Sequence, residues 1–265
     1  MKSIAKLMFG AVLLTAFGTL PAQENLITFN SLEDWNKSTL VTNADGAINI
    51  KRTFALFSKK FPVDPNKKYT VKVFCRAVNM KNEKDKSLIY VGFSVFDKNG
   101  REFFSYNCNT VPGTFTEVVE NAPKGATVLK IKDGSKFRKK VTVIVTGAKA
   151  DLSDLPNFNF FANVKGVASK NGVWEVTLEK PLVKDIPAGT KIREHARGGY
   201  LYSAGVKAVG KDWTVMSGSI KGMKKGVYIP QCWPAGTAYA KIVILANYGK
   251  KNLDTQIKDV TVTVE

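Results

Sequence analysis

Apolar and polar residues alternate along much of this chain with the period of two that a β-strand produces. The clearest run is FPVDPNKKYTVKVFCRAV, at residues 61–78. Its first part predicts a turn, because Pro65 presets one backbone angle while Asp64 and Asn66 hydrogen-bond to nearby backbone. From Tyr69 to Ala77 the odd-numbered residues are apolar. We therefore expect a strand with one buried face.

The run at 88–96 repeats this pattern, since its odd-numbered residues are Ile, Val, Phe and Val. The next four residues, DKNG, predict a hairpin turn with Gly100 in the left-handed conformation. The same segment also has the acidic start of a calcium loop. The twelfth position of such a loop is Cys108, where a calcium loop needs glutamate, so the turn is the better interpretation.

The remaining segments complete an all-β pattern. Between about Pro112 and Gly198 the predicted strands are short and separated by glycine-containing turns. Further strand patterns follow at 200–209, 212–220, 238–247 and 257–264. No periodic segment long enough for a helix of three turns occurs after the first 23 residues. The sequence therefore predicts an all-β fold.

The first residues have the pattern of a secretory signal peptide. Lys2 and Lys6 precede an apolar run at 7–20, and small residues follow it. We therefore expect residues 1–23 to be removed and the protein to be exported, to a periplasmic or extracellular location. No later apolar run is long enough to cross a bilayer, so no transmembrane segment is expected after signal removal.

The order of the outer segments resembles the jelly-roll carbohydrate-binding modules attached to bacterial glycan-degrading enzymes. The resemblance covers roughly Asn25–Val111 and Gly198–Glu265. The segments that carry it are Phe61–Val78, Val91–Phe96 with its turn at 97–100, Trp213-Thr214-Val215 with Ser217-Gly218, Ala238–Leu245 and Ile257–Val260.

The block between these halves resembles a small β-barrel unit found in bacterial and phage surface proteins. The residues that carry this second resemblance are Gly125-Ala126-Thr127, Asp133–Phe137, Trp174–Leu178 with Pro181-Leu182, and Pro187–Thr190. Together the two resemblances imply a jelly-roll β-sandwich interrupted by a small inserted β-barrel-like domain. The expected boundaries are 24–112 and 198–265 for the two halves of the sandwich and 113–197 for the insert.

Charge adds one expectation about partners. The chain has 40 Lys and Arg against 22 Asp and Glu, a net charge of +18. Such a field attracts polyanions. For an exported protein these are acidic polysaccharides and anionic cell-surface glycans, and no specific nucleic acid is expected. Because the lysines are spread along the chain, a solvated basic surface without a partner is the alternative.

The favoured function is non-catalytic glycan binding, with acidic polysaccharide as one ligand class. Sugar rings stack on exposed aromatic planes with polar groups nearby. Trp35, Trp174 and Trp213 are predicted to be core residues, whereas Trp233 lies between strands. The candidate binding residues are Trp233, Tyr90, Tyr202, Tyr228 and Arg197, and further aromatic residues outside the core phase are Tyr106, Tyr200 and Tyr248. For each of these aromatic residues alone, ordinary packing is the alternative.

A second hypothesis is an enzyme, such as a lyase that acts on acidic polysaccharide. The stretch KIREHARGGYLY, at 191–202, contains Arg193, Tyr200 and the chain's single histidine, His195. A lyase needs a cation to neutralise the substrate carboxylate and a Tyr or His to move a proton. The alternative for this stretch is an Arg/Glu ion-pair cluster that joins the insert to the sandwich.

A third hypothesis is a structural cell-envelope protein without a small ligand. No metal site is required by the sequence, although the jelly-roll resemblance implies a possible structural calcium. Asp259, in the closing strand, and Asp151 and Asp154 are the candidate ligands, with turn roles as the alternative for the last two. Cys75 is expected to be a buried thiol, and the pairing of Cys108 with Cys232 stays open.

Overall fold

The computed structural model describes residues 25–82, 84–138, 142–250 and 252–265, and the predicted signal peptide lies outside them. Antiparallel strands make up nearly all of the regular structure, so the all-β prediction is confirmed. The helical parts are a 3-10 turn at Leu32–Asp34 and a four-residue helix, α1, at Ser105–Cys108. Within the described residues, no helix is both long and apolar enough to cross a membrane.

The strands are numbered here in chain order. They are β1 (Asn25–Thr28), β2 (Val41–Ala44), β3 (Ala47–Lys51), β4 (Phe54–Phe57), β5 (Phe61–Pro62), β6 (Lys68–Val78), β7 (Ser87–Phe96), β8 (Glu102–Phe103), β9 (Thr116–Glu117), β10 (Val128–Ile131), β11 (Thr142–Thr146), β12 (Phe160–Lys170), β13 (Val173–Leu178), β14 (Lys191–Ala196), β15 (Val206–Val209), β16 (Thr214–Lys221), β17 (Met223–Lys224), β18 (Trp233–Pro234), β19 (Tyr239–Ala246) and β20 (Asp254–Val264).

Two sheets enclose one apolar core. The first sheet has the order β16-β6-β20-β3-β2, with β1 also on β20, and the second has the order β15-β7-β19-β4, with β5 on β19 and β8 on β7. Strands β6 and β19, which lie far apart in the chain, both supply side chains to this core. This is a sandwich-like arrangement in which residues before 109 and after 200 share one interior.

The period-two pattern correctly predicted the buried faces of the two long strands. In β6 the alternate residues from Tyr69 to Ala77 are at most 3% exposed. In β7 the four residues at 89, 91, 93 and 95 are all 0% exposed. The predicted hairpin turn is confirmed as well, because the Asp97 carboxylate accepts from the backbone N–H groups of Asn99 and Arg101, each at 2.9 Å. Gly100 there has φ of +77°.

The third sheet is built wholly from residues 116–196 and has the order β10-β13-β12-β11-β14-β9. Backbone hydrogen bonds join its ends, from Val119 N–H to Lys130 O and from Lys132 N–H to Glu117 O, each at 3.0 Å. The hydrogen-bonded order therefore returns to its starting strand. This sheet has an apolar core of its own, separate from that of the first two sheets. The division at 113 and 197 into an inserted domain stays a prediction.

The chain enters and leaves the third sheet at neighbouring points. Val111 N–H donates to Glu194 O at 2.9 Å, and Ala196 N–H donates to Asn109 O at 2.8 Å. The two chain crossings therefore pair with each other like two strands. This contact explains how the sandwich can be continuous although about 85 residues separate its halves in the chain.

A glycine in β7 allows a neighbouring segment to approach the second sheet closely. A Cβ atom at Gly92 would lie 2.0 Å from Leu201 O and 2.5 Å from the Tyr202 Cα atom. Because both contacts are with backbone, we expect Gly92→Ala to lower the free energy of unfolding by about 1–3 kcal/mol, as measured by urea denaturation. Gly210→Ala is the control, since no atom lies within 4 Å of a Cβ there. Equal stability of the two variants would contradict this packing.

Candidate functional site

Seven aromatic rings form a connected group on the outer face of the second sheet, which we name the aromatic strip. Its members are Phe57, Tyr90, Phe104, Tyr106, Tyr200, Tyr202 and Tyr248. The distances between ring centroids are 5.5 Å for Tyr248–Tyr90, 5.0 Å for Tyr90–Tyr202, 6.1 Å for Tyr202–Tyr200, 5.5 Å for Tyr200–Phe57, 5.9 Å for Tyr200–Phe104 and 5.5 Å for Phe104–Tyr106. These distances are typical of favourable aromatic pairs.

Strand alternation and one crossing segment place the rings. Tyr90 points away from the core, because its neighbours Ile89 and Val91 both point into it. Tyr200 and Tyr202 flank Leu201, whose backbone exchanges two hydrogen bonds with Phe93 of β7, at 2.9 and 3.0 Å. The segment is thereby fixed along the edge of the second sheet.

The remaining rings come from three other parts of the chain. Phe57 ends β4, and Phe104 and Tyr106 flank the start of α1. Tyr248 follows β19, where its N–H donates to Leu88 O at 3.0 Å. The strip is therefore assembled from five separate chain segments.

The strip covers the sheet beneath it but stays open to solvent above. Val243 belongs to the outer face of β19, yet it is 0% exposed, so side chains on that face cover it. All seven rings are themselves partly exposed or exposed, and Tyr248 is 52% exposed. Most neighbouring rings are inclined to one another by 51–80°, so the strip offers separate ring edges and faces to a ligand and not one flat plane.

Charged groups lie on the same face. Glu102 accepts a hydrogen bond from the Ser94 hydroxyl. The Lys60 Nζ atom is 4.9 Å from the Tyr239 ring centroid, and the Lys241 Nζ atom is 5.4 Å from that of Phe96. The surface therefore combines aromatic planes with both a carboxylate and ammonium groups, which suits a polar ligand that also has an apolar side.

Two tyrosines of the strip, Tyr200 and Tyr202, remain neutral over a wide pH range. Burial, assisted by the neighbouring tyrosines with Tyr200 first, raises the pKa of Tyr202 to about 12. Burial also raises the pKa of Tyr200, with an added effect of the Glu102 charge. Both phenols therefore stay protonated and can donate hydrogen bonds to a ligand at neutral and mildly alkaline pH.

The proposed catalytic residues divide between two places. Arg193 and His195, on β14, belong to a buried polar cluster where the third sheet meets α1. The Arg193 Nη2 atom is 2.7 Å from Asp154 Oδ2, and its Nε–H donates to His195 Nε2 at 3.0 Å. Tyr200 instead contacts Phe57, Phe104 and Tyr202 in the aromatic strip. The three side chains therefore do not converge on one site.

Both ring nitrogens of His195 already have hydrogen-bond partners inside this cluster. It is 0% exposed, its Nε2 accepts from Arg193, and its Nδ1 lies 2.9 Å from Tyr106 O. Because Arg193 can only donate, the ring is the neutral tautomer with its proton on Nδ1. Burial, assisted by the Arg193 charge, lowers the pKa of His195 to about 4. In this conformation neither nitrogen can exchange a proton with a substrate, which corrects the interpretation of His195 as a catalytic group.

The same cluster connects the loop before β12 with helix α1. Asn157 N–H donates to Asn107 O at 2.8 Å, and the Asn107 side chain donates to Asn157 O at 3.0 Å. Asn157 also donates to Asp154 at 2.8 Å. The expected Arg/Glu ion pair between the two parts is not what the geometry shows, because Arg193 pairs with Asp154 and both lie within residues 113–197. The contacts that cross to α1 are hydrogen bonds, from Asn157 and from His195. Glu194 accepts instead from Thr142, at 2.6 Å.

Two of the predicted binding residues pack against the sandwich core. Trp233 is 0% exposed and packs against Tyr69 and Phe93, with ring centroids 5.5 and 5.2 Å apart. The expectation that its loop leaves it exposed is wrong, because the Trp233 side chain is itself part of the sandwich core. The hydroxyl of Tyr228 is likewise buried, and the side chain packs against the sandwich core. Arg197 is exposed and donates to Asn163 on β12, apart from the aromatic strip.

Of the three carboxylates considered as calcium ligands, two already have hydrogen-bond partners and the third lies exposed on the surface. Asp154 pairs with Arg193 as described above. Asp151 accepts from Ser153 N–H at 3.1 Å in a turn. Asp259 is exposed, with φ of +49°, beside an irregularity in β20. Within the described residues, no three His, Cys, Asp or Glu side chains form a group that fits a metal ion. A structural calcium therefore stays a prediction.

All three cysteines are buried free thiols, as expected for Cys75. Burial raises the pKa of Cys75 to about 12 and raises that of Cys108 as well. The open pairing of Cys108 with Cys232 is therefore not formed in this structure. These thiols act as small apolar core residues.

Sequence reasoning identified five of the seven strip residues but missed Phe57, Phe104 and the neighbouring Glu102. Phe57 directly follows the buried Leu56 in β4, so strand alternation turns its side chain away from the core. That alternation is the signal by which sequence reasoning could have identified it. Glu102 lies in the two-residue strand β8 and Phe104 directly follows it, so the strand is too short for its alternation to mark either residue as part of the strip. The chain matches no model of a known protein family, and no curated protein matches it.

Proposed function

We propose that this protein is an exported, non-catalytic glycan-binding protein. Its first and second sheets form a jelly-roll sandwich, and residues 113–197 form an inserted barrel-like domain. The observation that carries the proposal is the aromatic strip, a row of seven partly exposed or exposed rings in which each ring contacts at least one other. Large exposed aromatic surfaces are uncommon unless they bind something. The apolar faces of pyranose rings suit such planes, while hydroxyls suit the adjacent polar groups.

The shape of the strip favours a polysaccharide chain over a single sugar. Its contacts follow a path from Tyr248 through Tyr90, Tyr202 and Tyr200 to Phe104. Consecutive sugar units of one chain can occupy successive rings, so their weak contacts add together. The net charge of +18 favours acidic chains among these ligands.

Removing a strip tyrosine tests this proposal. We expect Tyr202→Ala to weaken binding about tenfold, because it sits between two other rings and is a central contact. Tyr248→Ala is expected to weaken binding about threefold, and its 52% exposure makes a folding defect improbable as a cause. Affinity gel electrophoresis in neutral and acidic polysaccharides measures both effects.

Phe115→Ala is the matched control, since Phe115 is 42% exposed beside the third sheet. Its mobility in the affinity gel is expected to equal that of the unmodified protein. If no polysaccharide retards the protein, or if the strip variants migrate as the control does, the proposal is wrong and the structural-protein hypothesis gains. Thermal denaturation of each variant confirms that the protein is folded.

A further inference from the structure

The outer face of the first sheet has a different chemistry from that of the second. In β6 the residues that point away from the core are Thr70, Lys72, Phe74 and Arg76. The register places Gln256 beside Arg76 and Lys258 beside Phe74, both on β20. We name the group formed by Lys72, Phe74, Arg76, Trp213 and Lys258 the basic face. It lies on the opposite side of the sandwich from the aromatic strip.

Trp213 is the centre of this group. The Arg76 guanidinium carbon and the Lys258 Nζ atom each lie 4.6 Å from the Trp213 ring centroid. The Lys72 Nζ atom lies 5.1 Å from the ring centroid of Phe74. Trp213 is partly exposed, so the prediction that it is a core residue is wrong. Its ring instead holds two cations together on the surface.

The charges of these cations are not neutralised within the described residues. The Arg76 Nε–H donates to the neutral amide oxygen of Gln256 at 2.9 Å. No described carboxylate lies within ion-pair distance of Arg76, Lys72 or Lys258. Like charges held close together without a counter-charge repel one another. An anionic group from a ligand would relieve this repulsion.

A buried acceptor in the same row also lacks a partner. Asn49 lies beside Gln256 in the register of β3 with β20. It is 8% exposed, and its side-chain oxygen has no hydrogen-bond partner. Buried polar atoms without partners are uncommon in folded proteins. A hydroxyl or a water held under a bound ligand would supply the missing donor.

We propose that the basic face binds the anionic groups of an acidic polysaccharide. Carboxylate or sulfate groups pair with Arg76 and Lys258, and a sugar ring lies against the accessible part of Trp213. Three cations on a flat sheet are few compared with the phosphate contacts of a typical nucleic-acid-binding protein. The proposal goes beyond the glycan binding assigned to the aromatic strip, and it does not depend on that assignment.

The double variant Arg76→Gln/Lys258→Gln tests the basic face with polygalacturonate as the probe. We expect it to weaken retardation in an affinity gel about tenfold or more. The matched control is Lys180→Gln/Lys184→Gln, which removes the same charge from exposed positions near the third sheet. The control is expected to change the affinity less than twofold. If both variants weaken binding equally, only net charge matters and the proposal is overturned.

Two further probes identify the ligand class. Trp213→Ala is expected to weaken binding of polygalacturonate more than that of inorganic polyphosphate, because the loss of the ring disturbs both cations but removes a sugar contact only from polygalacturonate. Equal losses for both probes would overturn the contact between sugar and indole. Tighter binding of single-stranded DNA than of polygalacturonate at the same salt concentration would assign the face to nucleic acid and overturn the proposal.

Failure of the two proposals is distinguishable because different residues carry them. The proposal for the aromatic strip is wrong if Tyr202→Ala and Tyr248→Ala bind polysaccharide as the unmodified protein does. The proposal for the basic face is wrong if Arg76→Gln/Lys258→Gln binds polygalacturonate as the unmodified protein does. Thermal denaturation of each variant confirms that folding is retained in every comparison.

Discussion

Asp154→Ala is expected to lower the free energy of unfolding by about 3–5 kcal/mol, the cost of leaving a buried charge unpaired. The Arg193 side chain is 3% exposed and that of Asp154 is 6% exposed, so water cannot replace the lost carboxylate. Asp154 also accepts from Lys149 N–H at 3.1 Å and from the Asn157 side chain. Chemical denaturation followed by circular dichroism measures the change.

Two comparisons isolate the unpaired charge as the cause. Glu120→Ala removes an exposed carboxylate 2.9 Å from Lys130 and is expected to leave stability nearly unchanged. The double variant Arg193→Met/Asp154→Leu removes both charges together. It is expected to recover most of the lost stability, because apolar pairs often replace buried ion pairs at little cost. A double variant as unstable as Asp154→Ala would show that loop packing is the cause.

The stability of the protein is expected to fall by about 3 kcal/mol as the pH decreases from about 6.5 to about 4, owing to His195 alone. In the folded protein burial keeps the ring neutral down to about pH 4. In the unfolded chain it takes up a proton near pH 6.5. Unfolding therefore consumes a proton within this window, so the contribution is complete above it and is lost as the pH falls.

His195→Asn is the variant that measures this contribution. The Asn amide can still donate to the Tyr106 carbonyl, but it does not titrate. Its stability is expected to vary about 3 kcal/mol less than that of the unmodified protein between pH 6.5 and pH 4. Burial raises the pKa of Glu194, which gives stability with the opposite pH dependence in both proteins and cancels in the difference. Identical pH profiles would contradict the buried neutral histidine.

The sequence predicted most accurately what depends on near neighbours in the chain. The buried face of β6 and the turn at 97–100 follow from residues only a few positions apart. Tyr90 was correctly placed outside the core for the same reason, because its phase in β7 is a local property. Its contacts with Tyr202 and Tyr248 were not predictable, because they depend on which segments lie side by side across the sheet.

The errors have one physical cause. Trp233 was expected to be exposed to solvent and is buried, whereas Trp213 was expected to be a core residue and is partly exposed. Whether a large ring is covered depends on distant segments that pack over it. His195 and Tyr200 show the same limit, since they are five positions apart yet lie in a buried polar cluster and on an open face. A local pattern could not separate these two environments.

The pairing of the two chain crossings, from Val111 to Glu194, has a consequence for the order of folding. Closing a flexible loop of about 80 residues costs entropy that increases by about 0.6 kcal/mol for each doubling of its length. If residues 113–193 fold first, they hold these two crossings side by side. The halves of the sandwich are then linked by a connection that behaves like one of about five residues. The entropic cost of bringing β6 and β19 together decreases by about 2 kcal/mol, so the middle of the chain would act as an internal template for the outer parts.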